Sequence, residues 1–486
     1  MSEVKVEAGR AEGGRRGGRE ARRAQRAAPL PSNQRPVRPG LEGGRYRPLN
    51  DEDVLRIHHA ALDVLEQIGL ADAIPSCIEV CTAAGAILNE NGRLLFPRAL
   101  VEDTLAKAAR RFPLHGQDPQ HDLEPWGKRV YFGTAGAAVN IVDPVSGAYR
   151  ESTVKDAYDI ARIVDQMEHI HFYQRSVVCR DIADPADMDF NTCYASVMGT
   201  TKHVGTSWVA PEQCVASLEM LHMVAGGEEK WRARPFVSQS NCFVVPPLKF
   251  ATDACRCLEI AVRGGMPVLL LSAGQAGATA PASLAGAMSG GSPEQALLSS
   301  ACGQMAHFYD LTGGTSSGMS DSKIPDAQAG MEKAYNHALV GNAGANLIYE
   351  SAGMHASLLG FCLESLVIDN DIIGAVQRTI KGIEVTDESI SVETIRDVCL
   401  NGPGHYLGSD QTLKLMQTEY VYPAVGDRRS PNDWAERGAT DIVDRAMQKI
   451  REILERHHPR HVSREVDAAI RARFKVLLPR EAMQAA

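Results

Sequence analysis

The feature that most limits what this 486-residue chain can fold into is a strand–helix alternation that repeats along its middle. Short apolar, β-rich runs recur at Phe172–Val178, Val204–Val209, Phe236–Cys242, Val268–Ser272, Gly313–Ser317 and Asn346–Glu350. Helical apolar periodicity fills the gaps, as in Pro211–Met223, Leu248–Val262 and Asp326–Val340. The step from strand to strand is about 31 to 44 residues, the length of a βα unit. Six such units in a row predict a parallel sheet. It is either a closed (β/α)8 barrel or an open doubly wound sheet. No Gly-x-Gly-x-x-Gly joins a strand to a helix and no Walker A motif is present, which weakens the nucleotide-binding form of the open sheet.

The flanks read differently. Met1–Arg47 carries 11 Arg and 1 Lys against 5 Glu, whereas the whole chain has a net charge of -9. This arm lacks periodic apolar residues, so 1–47 is expected to be disordered. The acidic body argues against a nucleic-acid binder. Asn50 is a good N-cap ahead of Asp51, Glu52 and Asp53, and Val54, Ile57 and Ala61 follow at helical spacing until Gly69. A second helix is expected over Arg98–Arg111, which makes 48–125 a helical preface. Within Val130–Tyr149, turn signals at Asp143-Pro144 and Ser146-Gly147 predict a β-hairpin. Ser152-Thr153 then caps a helix.

The 11 cysteines are odd in number and no apolar leader precedes them, so reduced thiols and a cytoplasmic location are expected. Cys255-x-Cys257 has the wrong spacing for a zinc site, and no metal is expected. The charge-free stretch Gly264–Pro293 is broken by Gly and Pro. It reads as a buried strand followed by a Gly/Ala loop rather than a membrane span.

In a barrel, function gathers at the C-terminal ends of the strands. The polar residues there are Ser207, Trp208, Ser240, Asn241, Ser272, Thr315, Ser316, Tyr349 and Glu350, with His355 in the next loop. Glu350 could bind a cation or move a proton, or cap a helix. Asn241 could contact a ligand or satisfy loop backbone. His355 and His405 sit beside glycines and could be catalytic or structural. The Gly/Ser-rich loop Gly313–Gly330 could cradle an anion on backbone amides. Tyr131, Phe132, Trp208, Tyr349 and Tyr406 could offer ring faces to a quaternary ammonium, or simply pack.

Several segments together carry a resemblance to a known family: LRIHHAALDVLEQIGL, VYFGTAGAAVNIVDPVSGAYRESTVKDA, SNCFVVPPLKF, GGTSSGMSDSKIPDAQAGMEKA, LESLVIDNDI, GPGHYLGSDQTL and EYVYPAVGDRR. The chain resembles the trimethylamine methyltransferase family of corrinoid-dependent enzymes, as a member without pyrrolysine. The resemblance implies a (β/α)8 TIM barrel over 126–458, with 459–486 as a helical tail. It also implies transfer of a methyl group from a methylated, quaternary amine to the cob(I)alamin of a separate corrinoid protein. Asp-x-His-x-x-Gly, the carrier signature, is absent, so no cobalamin is expected to be held tightly here. The expected catalytic residues are Glu350, His355 and His405. The expected substrate-binding residues are Tyr131, Phe132, Trp208, Asn241, Tyr349 and Tyr406. A substrate carboxylate would call for a cation at the mouth, and Lys202, Lys249 and Lys323 are candidates. The expected partners are the amine and the carrier, with no nucleic acid, no membrane and a possible homo-oligomer. The competing readings are a non-catalytic quaternary-amine-binding barrel, and a methyltransferase for trimethylamine or another O-, S- or N-methyl compound.

Overall fold

The computed structural model describes residues 30–31, 34–271, 289–402 and 404–484. It divides into two units. The larger unit, 39–382 and 423–486, is an α/β barrel. Its parallel strands are β1 (Arg129–Phe132), β2 (Tyr173–Gln174), β3 (Val204–Thr206), β4 (Val237–Cys242), β5 (Val268–Leu271), β6 (Gly314–Ser316) and β7 (Leu347–Tyr349). Ladders join β2 to β3, β3 to β4 and β4 to β5. β6 pairs with β7, and β7 returns to β1. A parallel bridge from Gly133 to Phe172 links β1 to β2. The last strand therefore pairs with the first. That neighbour relation is the one a TIM-type barrel requires. No ladder joins β5 to β6 among the described residues. A Cβ on Gly314 would nevertheless lie 3.5 Å from Leu269 Cδ1, so the two strands approach each other.

The strands expected from the sequence are all present, although most are shorter than their apolar runs. The first barrel strand was not anticipated. Arg129–Phe132 is β1, and the hairpin is confined to Asn140–Val142 and Tyr149–Glu151. β5 is not the buried strand expected, because its residues are half-buried or exposed. The rest of that charge-free stretch, 272–288, lies outside the described residues. Among the described residues no helix is long and apolar enough to cross a membrane.

Helices α1 (Val154–Asp165), α2 (Pro185–Gly199), α3 (Pro211–Ala225), α4 (Thr252–Arg263), α5 (Pro293–Phe308), α6 (Ala327–Ala343), α7 (Leu363–Lys381) and α8 (Ile442–Arg456) surround the strands. α8 packs between α7 and α1 and completes the ring on that side. Local chemistry fixes where these helices begin. Thr153 and Asp156 form a reciprocal capping box on α1, and Asp326 caps α6 through the Ala329 amide. Cys255 and Cys257 are both buried on α4, in keeping with a structural role.

Asn50 caps the helix Asp51–Asp63 as expected, and Gly69 ends it after one wider turn. The helix expected over Arg98–Arg111 spans Arg98–Lys107, and a further helix at Pro75–Ala83 precedes it. The expected disorder of 1–47 does not reach Arg47. Most of that arm lies outside the described residues, but Leu41–Glu42 pairs antiparallel with Arg129–Val130. The Arg45 and Tyr46 amides also donate to Asn342 O. Leu41 is buried, so its apolar contact offsets the cost of ordering this end of the arm.

The smaller unit comprises 1–38 and 383–422, so the chain leaves the barrel within the 126–458 span. It holds the short helices Asp387–Ile390, Val392–Arg396 and Asp410–Thr418. Thr386 and Ser389 cap the first reciprocally, and Gln411 Nε2 donates to Ser391 Oγ at 2.7 Å.

Candidate active site

TIM barrels normally fill their axis with layers of branched side chains. In this barrel several strand positions carry small residues: Gly205, and Ser238, Ser240, Gly314 and Ser316, which line one cavity. Gly205 shows why. A Cβ there would fall 1.5 Å from Gln174 Oε1, so glycine leaves the space that the Gln174 amide occupies. The space left is a cavity of about 1610 Å³. Its lining runs from Pro235 and Pro267, just before β4 and β5, to Ser207, Cys242, Ser316 and Glu350 at the strand C-termini.

Two groups give this cavity its character. Tyr349, the last residue of β7, packs edge-on against Phe172 at 5.1 Å between centroids, and burial raises its phenol pKa. Glu350 follows directly. Regular alternation would turn successive residues to opposite faces of the strand, yet both line the cavity. The break is at Glu350, whose φ of 61° lies in the left-handed region. A non-glycine residue held there costs about 1–2 kcal/mol. Its Oε2 is shielded from solvent and has no hydrogen-bond partner among the described residues. Burial pushes the carboxyl pKa up, partly opposed by the Ser316 hydroxyl. Backbone strain and an unsatisfied buried oxygen together single out Glu350 as the candidate functional residue of this cavity.

Trp208 also lines the cavity. It is fully buried, and its Nε1 donates to Ser217 Oγ at 2.9 Å. Asn241 holds it in place: Asn241 Nδ2 donates to Trp208 O at 2.8 Å, and Asn241 Oδ1 receives the Trp208 amide at 3.4 Å. The loop-satisfying alternative for Asn241 is therefore realised, although the residue still borders the cavity.

The other expected site residues lie elsewhere. Tyr131 packs in a cluster with Leu114, Leu123, Phe172 and Leu347, and its hydroxyl accepts the Glu124 amide at 3.2 Å. Phe132, next in the strand, is fully buried and faces the His337 ring at 5.4 Å. His355 is buried with both ring nitrogens engaged, Nε2 with Ser365 Oγ at 2.6 Å and Nδ1 with Ser322 O at 3.2 Å. Burial lowers its pKa to about 3, so it stays neutral and ties its loop to α7. His405 and Tyr406 belong to the smaller unit, where both are exposed and the Tyr406 hydroxyl lies 3.8 Å from Cys399 Sγ. Of the nine expected site residues, the barrel cavity thus gathers Glu350, Tyr349, Trp208 and Asn241.

The anion cradle expected over Gly313–Gly330 is already filled by a carboxylate of the chain. Glu332 Oε2 accepts the Ser320 hydroxyl at 2.7 Å and the Asp321 amide at 2.8 Å. Ser317 Oγ meets His337 Nδ1 at 2.9 Å. The three lysines considered for the mouth are also committed. Lys202 is buried and donates to Val164 O, Met167 O and Ile170 O at 2.7, 2.6 and 2.5 Å. Lys249 pairs with Asp72, and Lys323 Nζ donates to Asp321 O. Two arginines do line the cavity: Arg232, which is bonded to Glu228 and to Arg263 O, and Arg175, one residue beyond β2. The expected strand Phe172–Val178 had placed it mid-strand. Its one available signal was a lone charge inside the run FYQRSVV.

Fold and site define a barrel protein with a cavity bordered by Tyr349, Trp208 and the acid Glu350. Known proteins agree and are more specific. A model of the trimethylamine methyltransferase (MTTB) family matches residues 15–289 and 284–475. A trimethylamine methyltransferase of Desulfitobacterium hafniense (strain DSM 10664 / DCB-2) is 30% identical over 472 residues, covering 89% of this chain and 94% of that protein. A trimethylamine methyltransferase of Methanosarcina thermophila is 29% identical, over 88% of this chain and 96% of its own. The glycine betaine methyltransferase of Desulfitobacterium hafniense (strain Y51) is 26% identical, over 88% and 96% respectively. This chain is a methyltransferase. It belongs to the trimethylamine methyltransferase family.

Proposed function

We propose that this enzyme moves a methyl group from a quaternary amine to the reduced corrinoid of a separate carrier protein. The observation that carries the amine end is Glu350, a carboxyl with an unpartnered oxygen, held at a strained φ beside Tyr349 in a cavity that Trp208 also lines. A methylammonium would supply the missing partner. Its positive charge would lower the Glu350 pKa, so that the proton leaves to solvent and the carboxylate pairs with the ammonium, while the Tyr349 ring would face its methyl groups. The carrier's corrinoid is the second substrate and supplies the nucleophile that takes the methyl group. The protein's part is to fix the C–N bond along the line of attack and to keep water away. A quaternary amine leaves as a neutral tertiary amine and needs no proton. That suits a site whose nearest histidine in sequence, His355, is hydrogen-bonded on both sides. The reaction is assigned to the reducing cytoplasm, in keeping with eleven free thiols.

A second reading rests on the same acid. With its pKa raised, Glu350 could keep a tertiary amine such as trimethylamine protonated, and so make it a competent donor. One assay separates the readings. The purified chain, a reduced corrinoid carrier and a panel of quaternary and tertiary methylamines are followed by the Co(I) to methyl-Co(III) spectral change. Transfer from quaternary amines alone supports the first reading, and transfer from trimethylamine alone supports the second. Tight binding with no transfer to any cognate carrier would reduce the protein to an amine-binding barrel.

A further inference from the structure

Arg175 lines the same cavity as Glu350 and is half-buried. Its guanidinium makes no hydrogen bond or ion pair among the described residues, and burial disfavours its charged form. The carboxylate that acts on it electrostatically is Asp189. Asp189 is already committed, because its Oδ2 accepts the Val209 amide at 2.7 Å and the Ala210 amide at 3.0 Å. A desolvated guanidinium without an acceptor is costly, and its planar fork of donors matches a carboxylate. Arg175 and Glu350 form no ion pair with each other within 4.0 Å among the described residues, so neither satisfies the other. One cavity thus presents a guanidinium without a hydrogen-bond acceptor and a carboxyl with an unpartnered oxygen, which is the complement of a ligand bearing both charges.

We propose that Arg175 is the specificity residue of this site, binding a carboxylate on the same substrate molecule whose methylammonium end faces Glu350. This rests on the methylated-amine reading above and adds the residue that selects among such amines. Glycine betaine and choline test it, since they share a trimethylammonium group and differ chiefly in carboxylate against hydroxymethyl. Calorimetric binding needs no carrier and reads recognition apart from turnover. The wild-type protein is expected to bind glycine betaine more tightly than choline. Arg175→Gln should weaken glycine betaine by about 10- to 100-fold while changing choline by less than about 3-fold. Arg175→Lys keeps the charge without the fork and should fall between, which guards against a folding defect in the glutamine variant. Equal losses for both ligands, or an unchanged preference, would overturn the role of Arg175 while leaving the amine reading intact. If the wild-type protein bound neither ligand, both the amine reading and this proposal would fall.

Discussion

Replacing Glu350 by Gln should make the protein more stable and less active, with the stability gain confined to one side of a pH window. The folded-state carboxyl has its pKa raised above the ordinary value of 4.5 by burial. The folded protein therefore holds this proton more tightly than the unfolded chain does. The resulting stabilisation is complete below the unfolded pKa and is lost as pH rises through the folded one. Above that point the wild-type enzyme carries a desolvated carboxylate with Oε2 unpartnered, a penalty of about 1–3 kcal/mol for a buried unsatisfied group. Glutamine keeps the shape and cannot ionise. Urea denaturation should show E350Q near wild type at about pH 5 and more stable by about 1 kcal/mol at about pH 8. The same substitution removes the charge that faces the ammonium. An ion pair at ~4 Å and an effective dielectric of ~20 is worth at most about 4 kcal/mol. After desolvation a loss of about 10- to 100-fold in kcat/KM is expected. A stability change equal at both pH values, or E350Q less stable at both, would refute the view of Glu350 as a strained, poorly solvated acid kept for its ligand.

Two other perturbations follow from buried polar chemistry outside the cavity. Lys333 Nζ lies 2.6 Å from Asp369 Oδ2 with both side chains 1% exposed, and Asp369 also receives the Gly353 amide at 2.8 Å. K333M should cost about 3–5 kcal/mol by denaturant unfolding, and K333M/D369N should recover part of that; a single variant within about 1 kcal/mol of wild type would contradict this. Burial holds His203, His337 and His355 neutral, with pKa values lowered to about 4, 3 and 3. Between these values and the ordinary 6.5 the unfolded chain binds more protons, so stability should fall as pH drops through that window. H355Q should flatten the slope by up to about 1.4 kcal/mol per pH unit, read from unfolding curves at stepped pH.

The barrel was legible in the sequence because βα units impose a long period that survives local noise, and β2 to β7 all fall on expected runs. β1 was hidden because its apolar run flows straight into the Asn140–Glu151 hairpin, which has the stronger turn signals. Strand length was not legible. An apolar run marks what is buried, whereas a ladder ends where neighbouring strands diverge. β2 pairs only over Tyr173–Gln174, so Arg175 sits at a strand end and not inside one. The role of His355 was not legible either. Its partners Ser322 and Ser365 are brought to it by folding, and adjacent glycines look the same beside a catalytic or a structural histidine.

The aromatic candidates show where strand periodicity decides a site and where it must fail. Tyr131 and Phe132 are neighbours on one extended strand, so alternation alone sends them to opposite faces, one into the Leu114 cluster and the other against His337. No single ligand can touch both. Tyr349 and Glu350 are also neighbours and obey the same rule up to the ladder end, since β7 closes at Tyr349. The φ of 61° at Glu350 then reverses the alternation and brings carboxyl and ring to one cavity. A chain selected only for stability would place glycine at that position, because glycine adopts the conformation without a Cβ penalty and leaves no buried acid. Glutamate there forgoes both advantages. That makes the left-handed residue after β7 the point where this fold gives up stability, which is what the proposed role of Glu350 as the acid facing the ammonium requires.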